Sequence, residues 1–134
     1  MTVYLDSSAL VKLVSRETES DALRTFLATH PSRATSIVAL VEVTRAVLRR
    51  APAALDEVRR LFGGVAVLAL DEEVAGRSGR ILPATLRTLD AIHLASAATL
   101  GVDLAAFVTY DERLATAARA AELPVVSPST TGSW

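Results

Sequence analysis

Apolar residues along the chain fall into short continuous runs, separated by longer stretches with helical spacing. Val3-Tyr4-Leu5 reads as a strand that stops at Asp6, after which Ser7-Ser8 offers a cap for a helix over 9–14. Residues 18–29 read as a second helix, with Ala22, Leu23, Phe26 and Leu27 gathered on one side. Arg33-Ala34-Thr35 reads as a short strand, Ser36 caps a long helix over 37–50, and Pro52 opens another that ends near Gly63-Gly64. The unbroken apolar run at 65–70 predicts a buried strand. Asp71 caps a helix that runs to about Leu82 before Pro83, and residues 88–100 form a helix stopped by Gly101. A strand over 106–109, a helix over 112–121 and a short strand at Pro124-Val125-Val126 complete the pattern. Residues 127–134 are small and polar and read as a loose tail.

Strands that alternate with helices imply an α/β fold: a parallel sheet flanked by helices on both faces, here in a single domain over 1–126. Polar chemistry in such sheets gathers beyond the carboxyl ends of the strands. Composition agrees with one packed domain, since 51% hydrophobic and 22% charged residues in a 134-residue chain exclude disorder. With 24 alanines the helices must pack closely. A net charge of −1 argues against a dedicated polyanion-coating protein. The absence of cysteine removes disulfides, thiolate catalysis and cysteine-held zinc, and His30 and His93 lack a zinc-binding spacing. Neither a signal peptide nor a membrane span is visible, so a cytoplasmic protein is expected.

Four carboxylates lie where this topology collects polar groups. Asp6 ends the first strand, Asp111 follows the strand over 106–109, Asp90 sits in the first turn of the helix after Thr88, and Glu42 lies inside the helix after the second strand. Each also has a plain structural explanation. Asp6 and Asp111 suit helix caps. Asp90 could answer its own helix dipole, although its helix is apolar nearly all round and therefore buried, where a carboxylate needs a partner or a cation. Glu42 lies almost opposite the apolar arc Ile37, Leu40, Val41, Thr44, Val47 and Leu48, so the pattern alone favours a solvated pair with Arg45 or Arg49. As a set, clustered carboxylates suit Mg²⁺ or Mn²⁺, which clamp a phosphodiester and acidify a bound water.

The segment Leu5-Asp6-Ser7-Ser8-Ala9-Leu10-Val11-Lys12-Leu13 resembles the opening motif of PIN domains, in particular VapC-type toxins of bacterial toxin–antitoxin pairs. Three further segments match in order: Ser36 to Glu42, Leu89-Asp90-Ala91-Ile92-His93-Leu94-Ala95, and Phe107 to Leu114. The resemblance spans about 1–126 and shows no departure at the four acids. It implies a Mg²⁺- or Mn²⁺-dependent endoribonuclease held inactive by a small cognate antitoxin, with homodimerisation expected. Asp6 and Asp90 would be the most direct metal ligands. Glu42 would be a further ligand or would position the attacking water, and Asp111 would complete the site, partly through water. Thr109 would orient a carboxylate or water, and Ser7 would bond a neighbouring carboxylate or cap its helix.

Arg87, Arg45 and Arg49 are candidates for RNA phosphate contacts, against the alternative of a solvated surface. His93, one turn after Asp90, is read as a helix residue hydrogen-bonding locally rather than as a catalytic base. Two other classes remain open: a non-catalytic module of the same fold that binds RNA or protein, and a DNA-directed nuclease, since nothing in the chain reads the 2′-OH.

Overall fold

Strand β1 (Thr2–Leu5) lies at the centre of a five-stranded parallel sheet in the computed structural model, which describes residues 1–130. Its neighbours are β2 (Arg33–Ser36) on one side and β4 (Leu104–Val108) on the other, with β3 (Ala66–Leu68) and β5 (Val125–Val126) at the edges. The chain thus winds outward from β1 through β2 to β3, then returns to the opposite side of β1 to lay down β4 and β5. The order reverses between β1 and β4, and a crevice opens beyond their carboxyl ends.

Seven helices cover the sheet: α1 (Ser7–Val11), α2 (Ser20–Leu27), α3 (Ile37–Arg50), α4 (Leu55–Gly63), α5 (Glu72–Ser78), α6 (Thr88–Ala98) and α7 (Glu112–Ala120). Side chains alternate across a strand, and here the alternation divides the core in two. Val3, Leu5, Ala106 and Val108 pack with α1, α2, α3 and α4, whereas Tyr4 and Phe107 pack with α6 and α7. Tyr4 stacks on Phe107 at 5.4 Å between ring centroids, and both are fully buried. Burial of each such side chain contributes about 1.5–3 kcal/mol, so the centre of the sheet is the most heavily anchored part of the molecule.

Several elements differ from the sequence expectation. The apolar run at 65–70 gives an edge strand of three residues with Ala66 and Val67 exposed, because β3 pairs on one side only and lies beyond the helical cover. Asp6, rather than Ser7-Ser8, caps α1, accepting from Ala9 N at 2.9 Å and starting the helix two residues early. The buried row of α3 is Ala39, Val43 and Val47, so the helix is rotated from the expected arc and leaves Val41 60% and Leu48 51% exposed. Gly101, with φ of 54°, takes the left-handed conformation expected of a residue following a helix. Ser127 and Pro128, expected in the loose tail, are buried: Ser127 Oγ donates to Thr109 O, and Tyr110 donates to Pro128 O at 2.6 Å. The rest of that tail, residues 131–134, lies outside the described residues.

Candidate active site

Asp6 projects from the end of β1 and is almost wholly buried. One carboxylate oxygen accepts from Ala9 N–H and from Ser8 Oγ at 2.7 Å; the other accepts from Thr109 Oγ1 at 2.6 Å. Its own N–H donates to Val108 O, which ties it to β4. Burial raises its pKa above the usual aspartate value, and the nearby His93 together with these donors only partly oppose that rise. Thr109 also accepts from Asp111 N–H at 3.1 Å, so one hydroxyl links the acids that follow β1 and β4.

Asp111 caps α7, accepting from Leu114 N–H with Oδ1, and turns Oδ2 to Arg87 at 2.6 Å. Asp90, in the first turn of α6, is 8% exposed and accepts from the same guanidinium at 3.0 Å. Arg87 therefore spans the two carboxylates from the rim, and both hold its pKa above the ordinary arginine value.

Glu42 reaches the cavity from α3, where it is half-buried. Its Oε1 accepts from Ser7 Oγ at 2.6 Å and lies 2.8 Å from His93 Nε2. Burial raises its pKa, but hydrogen bonds from His93 and Ser7 carry it below the usual glutamate value. Its partners are thus Ser7 and His93 rather than the Arg45 or Arg49 of a solvated pair. His93 corrects the sequence reading too. It bonds across the fold to Glu42 and, through Nδ1 at 2.7 Å, to Tyr4 of β1, both far away in sequence. The signal available was geometric: Asp90 and His93 are three apart on one helix face, and Tyr4 precedes Asp6 by two on one strand face.

Asp6, Glu42, Asp90 and Asp111 border one cavity of about 350 Å³, which Ser7 and His93 also line. An all-oxygen carboxylate set suits a hard divalent cation. Among the described residues, no three acidic or histidine side chains are set to hold a metal ion as they stand. Arg87 bonds both Asp90 and Asp111, and protein donors bond both oxygens of Asp6.

A second groove of about 540 Å³ runs from Ser7 and Glu42 past Arg45 and Arg49 to Lys12 and Tyr110. Arg45 and Arg49 make no ion pair with a described residue, whereas Lys12 is tied to Glu17 and Glu19 at 2.8 Å each. No helix among the described residues is long and apolar enough to cross a membrane.

Residues 3–120 match the family model for the PIN domain. The chain is 48% identical to Ribonuclease VapC46 of Mycobacterium tuberculosis, over 95% of its own length and 98% of that protein. In three dimensions it resembles the crystal structure of M. tuberculosis VapC20, a sarcin-ricin loop cleaving toxin. That match has a TM-score of 0.75 at 19% identity and covers 94% of this chain and 99% of the other. It also resembles a chain of a toxin–antitoxin complex from Klebsiella pneumoniae, with a TM-score of 0.70 at 23% identity, covering 94% of this chain and 97% of that one.

Proposed function

This chain belongs to the PIN-domain family, among its VapC-type toxins, and from that premise we propose that it is an endoribonuclease toxin that hydrolyses RNA phosphodiester bonds with Mg²⁺ or Mn²⁺. The observation that carries the reading is the single cavity bordered by Asp6, Glu42, Asp90 and Asp111 at the point where the strand order reverses.

Asp6, Asp90, Asp111 and Glu42 would hold the cation, which supplies an acidified water and charge stabilisation at the scissile phosphate. The chain's own residues prepare that site. Thr109 and the first turn of α1 fix Asp6 as a carboxylate that cannot swing away. Ser7 and His93 hold Glu42 in its ionised form, ready to accept a proton or orient a water. Arg87 is exposed enough to move, and a substrate phosphate offers its guanidinium two acceptor oxygens in place of the single oxygens that Asp90 and Asp111 each give now. Arg45 and Arg49 line the adjoining groove, where an RNA backbone would lie.

Within the same reading, the partner is a small antitoxin protein, by analogy with the toxin–antitoxin complex that shares this fold, and the toxin pairs with a second copy of itself. The test is incubation of the antitoxin-free protein with total RNA and Mg²⁺ or Mn²⁺, beside EDTA and an Asp90→Asn variant. Metal-dependent cuts that disappear in the variant are expected. Cleavage that persists with EDTA and with Asp90→Asn would sink the mechanism, and metal-dependent cutting of DNA but not RNA would reassign the substrate.

A further inference from the structure

Tyr4, His93 and Glu42 form a polar chain that runs from the middle of the sheet to the rim of the cavity. Tyr4 is fully buried on β1 and His93 is 1% exposed on α6. The Tyr4 hydroxyl lies 2.7 Å from Nδ1, and Nε2 lies 2.8 Å from Glu42 Oε1. A carboxylate can only accept, so Nε2 must carry a proton; a bare Nε2 at that distance would set two lone pairs against each other. On a ring that carries a single proton, Nδ1 is then the acceptor and Tyr4 its donor. The phenol ring itself is held in place. Its ring stacks on Phe107 at 5.4 Å and meets the imidazole edge-on at 5.8 Å.

We propose that His93 is a positioning residue for Glu42, with Tyr4 setting the tautomer that makes it a donor. Ser7 and His93 both bond Oε1, while Oε2 takes no hydrogen bond from a described residue. The chain therefore fixes which glutamate oxygen is left for a cation or water. Groups that orient ligands in this way typically change metal affinity or activity by about 10–100-fold when removed. The inference rests on the reading of the four acids as an ion-holding set, and its test separates the two.

Only two histidines occur in the chain, so the ¹⁵N resonances of His93 can be assigned against those of His30. The wild type should show Nε2 protonated and Nδ1 bearing a lone pair, and Tyr4→Phe, which keeps the stacked ring, should lose that preference. Mn²⁺ binding, followed by electron paramagnetic resonance with no RNA present, supplies the second readout. A glutamine amide nitrogen falls near the His Nε2 position and an asparagine's near Nδ1. His93→Gln should then bind Mn²⁺ within about threefold of the wild type, and His93→Asn about 10–100-fold more weakly. Thermal melts identify any variant that fails to fold, and Tyr4→Phe then carries the binding arm, with a loss of several-fold. Protonation of His93 on Nδ1 alone, or equal losses for Gln and Asn, would overturn the proposal. If the wild type binds no Mn²⁺, the ion-holding reading fails, while the tautomer of His93 still decides whether Tyr4 sets it.

Discussion

On the sheet side of the cavity, Asp6 is gripped by backbone and short hydroxyls: Ala9 N–H, Ser8 and Thr109, all carried by elements that pack directly on β1 and β4. On the α3 side, Glu42 is gripped by two side chains, Ser7 and His93, and the second of these is itself held by Tyr4. The electrostatic outcomes are opposite. Burial dominates at Asp6 and raises its pKa, whereas at Glu42 burial is outweighed by the donors from His93 and Ser7 and the pKa falls. Asp6 thus carries an electrostatic cost of burial, and Glu42 is a carboxylate already stabilised by the protein.

The largest expected effect breaks the sheet side. Asp6→Asn should reduce RNA cleavage by on the order of 10³-fold, since an amide neither attracts a cation nor leaves a charge at the phosphate. The same change should stabilise the metal-free protein by roughly 1 kcal/mol, or about 4 °C in Tm, because the amide keeps the cap and sheds the buried charge. The sign follows from linkage. A carboxyl whose folded pKa is raised costs stability at neutral pH, and the cost disappears as pH falls through the folded pKa. Calorimetry of the two proteins without metal, at neutral pH and near pH 4, checks it: the gap should narrow on acidification, and a less stable variant at neutral pH would contradict the account of Asp6.

The opposite sign is expected on the α3 side. Glu42→Gln should lower cleavage less, by about 10–100-fold, because its amide oxygen still accepts from Ser7 and His93. It should also lower Tm slightly at neutral pH. A carboxyl with a depressed pKa contributes stability above the ordinary glutamate value and loses it as pH falls through the folded pKa. Wild type and variant should therefore converge in acid from the other direction. If both variants shift Tm the same way at neutral pH, the two sides are not held by different means.

The same contrast explains what could be read from the sequence. A carboxylate at the end of a predicted strand is legible, because strand ends and helix caps are local patterns; Asp6, Asp111 and the parallel sheet were all legible in that way. Glu42 was visible only as a residue on a helix wheel, and the wheel set Leu40 and Val41 on the apolar arc where the fold buries Ala39 and Val43 instead. The partners of His93 lie 51 and 89 residues away, so no local pattern could reveal them. Edge position, which exposes β3, is likewise a property of the assembled sheet.

Arg87 bridges Asp90 and Asp111, on the sheet side of the contrast, and under the proposed function it would compete with the cation for them. Arg87→Gln should tighten Mn²⁺ binding by about 2–5-fold, the range of a partly exposed ion pair. RNA binding by the loaded protein should weaken at the same time if the guanidinium moves to phosphate. Titration of Mn²⁺ against both proteins, with and without a non-cleavable RNA, measures the two effects. Unchanged Mn²⁺ affinity would mean that the acids do not share a cation with Arg87.

The smallest effects belong to the α3 side. Arg45 and Arg49 follow Glu42 by three and seven residues and border the groove that leads away from the cavity. They make no ion pair with a described residue, in contrast to Arg87 and to Lys12. A cation without a protein partner has the most to gain from a phosphate, and each such contact releases condensed counterions from single-stranded RNA. Replacing either by Gln should weaken RNA binding modestly and uniformly across sequences, reducing the slope of log affinity against log salt by about 0.7 per arginine. Cleavage by the bound complex should be unchanged, because neither residue borders the cavity lined by the acids. Fluorescence anisotropy with a labelled RNA in EDTA, repeated across a salt series, reads the slope without turnover. A slope equal to the wild type in the double variant would move the RNA path off α3 and leave Arg87 as the phosphate-binding cation beside the acids.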